Sequence, residues 1–79
     1  MTRQRRGTMQ YDPSIGRPVV RFADGTYSDG LNAGQRLTLV RDGDAIETRL
    51  EQDFDENWYY AGTGLHPRPG DTVYLDYSA

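Results

Sequence analysis

Apolar and polar positions alternate with a period of two along most of this chain, the spacing of β-strands that bury one face. Arg36-Leu-Thr-Leu-Val-Arg41 sets Leu37 and Leu39 on one side. Ala45-Ile-Glu-Thr-Arg-Leu50 sets Ile46 and Leu50 inward and Glu47, Arg49 and Glu51 outward. Between these two runs stands Asp42-Gly43, the strongest short hairpin signal, because both residues tolerate the positive φ of a two-residue turn. Thr8–Asp12 and Arg17–Ala23 form a second strand pair around Asp12-Pro13-Ser14-Ile15-Gly16, in which proline presets one turn dihedral and glycine supplies another. Asn57–Ala61 is a fifth strand that buries Trp58 and Tyr60 and presents Tyr59. Asp71–Tyr77 is a sixth that buries Val73 and Leu75 and presents Tyr74. No segment carries a helical period.

Six short strands in so few residues predict an all-β fold, a small five- to six-stranded antiparallel barrel or sandwich. Closure into a barrel would remove the open edges that make small sheets aggregate. The expected core is Val20, Phe22, Leu31, Leu37, Leu39, Ile46, Leu50, Trp58, Tyr60, Val73 and Leu75. Seventy-nine residues allow one domain, read as a flexible basic tail over 1–6 followed by a single β domain over 7–79. The tail assignment rests on Arg3, Arg5 and Arg6 without apolar partners at a terminus, where disorder concentrates.

Composition narrows the function classes. Cysteine is absent, which excludes disulfides and thiolate-bound zinc and fits a reducing cytoplasm. No apolar run approaches the roughly 20 residues of a membrane-spanning helix, and no apolar stretch follows the basic start, so neither a membrane partner nor a secretory signal is expected. All nine basic residues are arginine. From Gly7 onward six arginines face twelve acids, a poor match to the basic face that phosphate neutralisation needs. Direct nucleic-acid binding is therefore disfavoured.

The net charge of −3 conceals a segregation. Asp42, Asp44, Glu47, Glu51, Asp53, Asp55 and Glu56 stand in fifteen residues against Arg49 alone, and Trp58-Tyr59-Tyr60 follows immediately. The acids fail the EF-hand pattern, since from Asp42 the fifth position is Ile46 and the sixth Glu47 rather than glycine. They imply no metal and no cofactor. Paired carboxylates can hydrolyse glycosides across a deep cleft, but a barrel this small is filled by its own side chains. His66, in Leu-His-Pro-Arg-Pro, is a general base or a solvated loop residue, and no nucleophile with an orienting group accompanies it. The expectation is a non-enzymatic protein.

The pattern Gly7, Tyr11-Asp12, Gly16-Arg17, then Gly34, Leu37 and Leu39, then Thr48-Arg49-Leu50-Glu51, Trp58-Tyr59, Gly62, Gly70 and Val73-Tyr74-Leu75 resembles a family of small domains of unknown function from bacterial mobile elements. The family's strand pattern is SH3-like, which implies a small barrel, and it implies no catalytic residue. Binding remains. Asp42, Asp44, Glu47, Glu51, Asp53, Asp55, Glu56, Tyr59 and Tyr74 form the candidate surface for a protein partner with a basic face, such as a nucleic-acid channel. A tiny acidic chain of this type fits an inhibitor of a host defence complex, an anti-CRISPR for instance. Two other readings stay open: a nucleic-acid-binding barrel that uses Arg3, Arg5, Arg6 and Tyr59, and a structural homodimer through Tyr74 and Tyr77. The acids also fit a merely solvated hairpin, and the tyrosines ordinary cross-strand filling.

Overall fold

A computed structural model describes the backbone of residues 2–78 and the side chains of residues 3–77; Met1 and Ala79, the ends of the two expected segments, lie outside the described residues. Six strands appear in chain order: β1 Thr2–Asp12, β2 Arg17–Phe22, β3 Arg36–Arg41, β4 Asp44–Gln52, β5 Trp58–Tyr60 and β6 Thr72–Ser78. All pair antiparallel in one sheet of order β2-β1-β6-β3-β4-β5. The all-β antiparallel fold is thus as expected. No helix of the described residues is long and apolar enough to cross a membrane.

The sheet is open rather than closed, with β2 and β5 as its edges. It coils instead: Val20 and Phe22 of one edge strand share a single core with Leu50 and Tyr60 near the other. Both edges are hooded by the chain itself. Residues 26–31 return along β2, with Phe22 N donating to Thr26 O (2.8 Å), Ser28 N to Val20 O (2.8 Å) and Leu31 N to Pro18 O (2.9 Å). On β5, Tyr60 N donates to Leu65 O at 2.9 Å. Local hoods do here what barrel closure would have done, satisfying the edge groups that otherwise recruit another chain.

The expected tail over 1–6 is a correction over its described part. Residues 2–6 are the first half of β1, which pairs with β6 from Thr2↔Ser78 through Thr8↔Thr72. The side of β6 that β3 does not pair offers the ladder, and Arg5 supplies the packing that no apolar residue provides. Its guanidinium lies 3.8 Å above the Phe22 ring and 3.1 Å from the Asp24 carboxylate. Strand alternation also sends Arg5 and Arg6 to opposite faces, so the three arginines form no single basic patch. The hydrogen bonds that Asp24 accepts from the Thr26 hydroxyl and amide hold its carboxyl below the usual carboxylate range, with Arg5 adding to the shift.

Nine of the eleven expected core residues are buried; Ile46 and Trp58 are partly buried and pack against the cluster. Met9 and Val19 join them. Two glycine-dependent points fix this geometry. Asp42 and Gly43 take φ of 54° and 81°, the paired positive values of a tight hairpin. At Gly7, a Cβ would fall on Val20 Cγ1 and lie 2.6 Å from the Arg21 carbonyl oxygen, so only hydrogen lets β1 and β2 approach there.

Candidate functional site

The acidic stretch is divided by β4. Asp42 and Asp44 sit exposed at the β3–β4 turn, whereas Asp53, Asp55 and Glu56 occupy the connection to β5. Asp44 opens β4, a nine-residue strand, and Gln52, just before Asp53, ends it, roughly 27 Å away at the rise of an extended strand. Glu47 lies between, exposed on the outer face of β4 and opposite Thr38. Glu51 is half-buried, faces Tyr59 across the sheet, and accepts from Arg49 Nε at 2.8 Å. Tyr74, half-buried, faces Thr38 on the same outer face. Tyr77 is three residues further on and so belongs to the other face. The structure therefore does not gather the nine candidates; it leaves Asp42 and Asp44 at a turn, Glu47, Glu51, Tyr59 and Tyr74 on strands, and Asp53, Asp55 and Glu56 in the loop before β5.

The last group is a built loop. Asp53 Oδ1 accepts the backbone N–H groups of both Asp55 and Asn57, each at 2.9 Å. Asp53 N donates to Asn57 O at 2.9 Å, Glu56 N to Asp53 O at 3.0 Å, and Gln52 Nε2 to Glu56 O at 3.1 Å. Glu56 closes the turn with φ of 66°. The Asp53 carboxylate is thus committed inward, an Asx-type arrangement, while Asp55 and Glu56 stay exposed. At the tip stands Phe54, with a relative exposure of 108%. The sequence does signal it, as a lone aromatic between acids outside any strand, yet strand periodicity passes over it because it has no alternation partner.

Directly after the loop, Trp58 forms one wall of an open groove of about 300 Å³. Tyr11 of the β1–β2 hairpin and Pro67 to Pro69 line it as well, over the buried Met9 and Pro18. Half of Trp58 packs on the core and the rest is groove surface. His66 is held here by its ring: Nδ1 lies 2.9 Å from the Trp58 carbonyl oxygen, to which it donates, and Nε2 is left free.

The segment 66–71 is rigidly anchored by a cluster that periodicity also misses. Asp71 is buried, and its Oδ2 accepts from an Arg41 guanidinium nitrogen (2.7 Å), the Tyr60 hydroxyl (3.0 Å) and the Arg68 amide (2.9 Å). Arg68 Nε approaches Oδ1 at 3.6 Å. Arg41 also donates to His66 O at 3.3 Å, while its buried Nε has no partner among the described residues. Burial, then the adjacent Asp71 charge, push the Tyr60 hydroxyl well above its ordinary value near 10. Met9 N donates to Asp71 O (2.8 Å) and Gly70 N to Met9 O (2.7 Å), stapling the segment to β1. Arg41, Tyr60 and the Asp71 carboxylate turn inward, whereas the Arg68 side chain is largely exposed; the cluster anchors the 67–69 segment that lines the groove. No group of three His, Cys, Asp or Glu side chains placed to hold a metal occurs among the described residues.

Over residues 7–74 the sequence matches the family described as a domain of unknown function, DUF5348. The fold is similar to the crystal structure of a structural-genomics target protein from Ruminococcus gnavus, with a TM-score of 0.75 and 29% identity, covering 87% of this chain and 97% of that one. No curated protein matches. The Phe54 loop and the Trp58 groove both lie within the span of the family match.

Proposed function

The chain belongs to the DUF5348 family, and from that premise we propose that it is a non-enzymatic interaction module that binds a basic protein surface through the 53–56 loop. The observation that carries this reading is Phe54, fully exposed between carboxylates on a loop whose backbone is already fixed. Burying a phenylalanine on a partner contributes about 1.5–3 kcal/mol, and a fixed loop loses little entropy in doing so. Asp55 and Glu56 add steering toward a cationic rim and discriminate against acidic surfaces. An arginine- or lysine-lined nucleic-acid channel has that chemistry, which suits a mobile-element inhibitor of a host defence complex.

The test is parallel affinity capture from the native host with the wild-type chain, Phe54→Ser, and the double variant Asp55→Arg/Glu56→Arg, read by quantitative mass spectrometry. The expected result is one basic protein recovered by the wild type and depleted about tenfold or more by both variants, the loss that about 1.4 kcal/mol produces. Equal recovery by all three overturns the reading. Asp53 is left intact in this design because its carboxylate holds the loop together.

A further inference from the structure

We infer that the groove beside Trp58 is a second contact for the same partner, and that it takes an extended segment with an apolar residue in the groove and an arginine toward the 53–56 loop. The inference rests on the interaction reading above and adds the form of the ligand. Four observations converge on it.

First, the groove is preformed. Its Pro67 to Pro69 segment is tied to β1 through Met9 and to the Asp71 cluster, so no rearrangement precedes binding. Second, its lining combines the apolar surfaces of Trp58, Tyr11 and Pro67 to Pro69 with polar groups at Gln10, Asn57 and His66, within about 300 Å³. An extended chain brings unpaired main-chain groups, for which His66 Nε2 and the side-chain amides of Gln10 and Asn57 are available in the lining. Third, charge gives the groove a direction. Asn57, the neighbour of Glu56 in the chain, lines the groove, and so does Arg68, whose side chain is 66% exposed and already lies 3.6 Å from Asp71. A cation is favoured beside Glu56 and repelled beside Arg68. Fourth, Glu56 and Trp58 are two residues apart, about 7 Å at most. An arginine two residues from the apolar anchor therefore reaches the carboxylates.

Trp58 is the sole tryptophan of the chain, so its fluorescence reports on the groove directly. The experiment titrates the full chain with three capped octapeptides that differ only in a central triplet: Arg-Ser-Leu, Glu-Ser-Leu and Arg-Ser-Ser. Arg-Ser-Leu is expected to shift Trp58 emission saturably, and each of the other two to bind at least about fivefold more weakly, the effect of roughly 1 kcal/mol. Tyr11→Ala, at a position 52% exposed, is expected to weaken Arg-Ser-Leu about fivefold with an unchanged thermal melt. Absence of a Trp58 response up to millimolar peptide, equal binding of the three peptides, or indifference to Tyr11→Ala each overturns the groove assignment. If the groove fails while capture of a basic protein still depends on Phe54, the loop reading stands alone. Sedimentation of the free chain identifies the remaining case, in which a second copy covers the groove and blocks the peptides; that result also overturns the proposal.

Discussion

Asp71 and Asp53 are both aspartates that accept several hydrogen bonds, and both organise a connection between strands, yet they sit at opposite extremes of burial. Asp71 is sunk at the end of the core among Arg41, Tyr60 and Arg68. Asp53 faces solvent and holds only its own loop. The first carboxylate serves packing; the second serves display, since what it fixes in place is an exposed Phe54 and two free acids. A count of charges along the chain treats the two alike. Their surroundings separate structure from recognition.

The largest effect that sharpens this contrast is expected at the buried end. Asp71→Ala leaves the Arg41 guanidinium buried without its counter-ion, a change that costs about 3–5 kcal/mol. A domain of this size has a comparable net stability, so the variant should be largely unfolded by circular dichroism and urea titration at 25 °C. The paired replacement Arg41→Met/Asp71→Leu should recover much of the loss, because removing both charges together leaves no orphan. A paired variant as unstable as the single one would show that the cluster is held by shape rather than by charge compensation.

Tyr60→Phe probes the same cluster more gently. It removes one hydrogen bond to a charged acceptor, about 1.5–3 kcal/mol. It also changes the alkaline limb of stability. The folded Tyr60 hydroxyl holds its proton to a higher pH than the unfolded one, whose value is near 10. Between those points the folded state binds more protons, so stability is complete below pH 10 and falls as pH rises beyond it. Urea midpoints from pH 9 to 11 should therefore decline more steeply for the wild type than for Tyr60→Phe. Parallel declines would mean that other groups dominate.

Asp53→Ala moves the comparison to the exposed end. Two amide bonds to one carboxylate are lost, but water replaces them, so the expected cost is about 1 kcal/mol. Hydrogen exchange should quicken at the Asp55 and Asn57 amides and leave Val73 and Leu39 unchanged. Global acceleration would make this loop part of the cooperative core.

Much of the fold was legible in the chain because strand alternation is a local property: Leu37, Leu39, Leu50, Val73 and Leu75 all bury as the period of two requires. Three things were not local. Residues 2–6 lack apolar alternation, and their strand exists because β6 presents an edge and Phe22 a ring beneath Arg5. Asp71 opens the sixth expected strand like any polar flank, and only tertiary approach of Arg41, thirty positions away, buries it. The sheet remains open because the 26–31 and 65–66 segments hood its edges, an option that strand counting cannot distinguish from closure. The candidate site was half legible. Its acidic loop and neighbouring tryptophan were identified, but the exposed Phe54 between those acids was not, because a residue outside any strand carries no alternation signal.

The smallest stability effect tests the most about function. Phe54→Ser removes a side chain that touches solvent on all sides, and surface substitutions of this kind stay within about 0.5 kcal/mol. Its urea midpoint should match the wild type or rise slightly, since the folded state no longer holds an apolar ring in water. Were Phe54 part of the fold in solution, by folding back onto Trp58 or the outer sheet, the same variant would lose about 1.5–3 kcal/mol and Trp58 emission would change without any ligand. An unchanged midpoint with unchanged emission therefore establishes that the ring is displayed. Exposure of a large aromatic that folding does not require is the property that separates the 53–56 loop from the Asp71 cluster, and a partner that buries it must carry the complementary pocket.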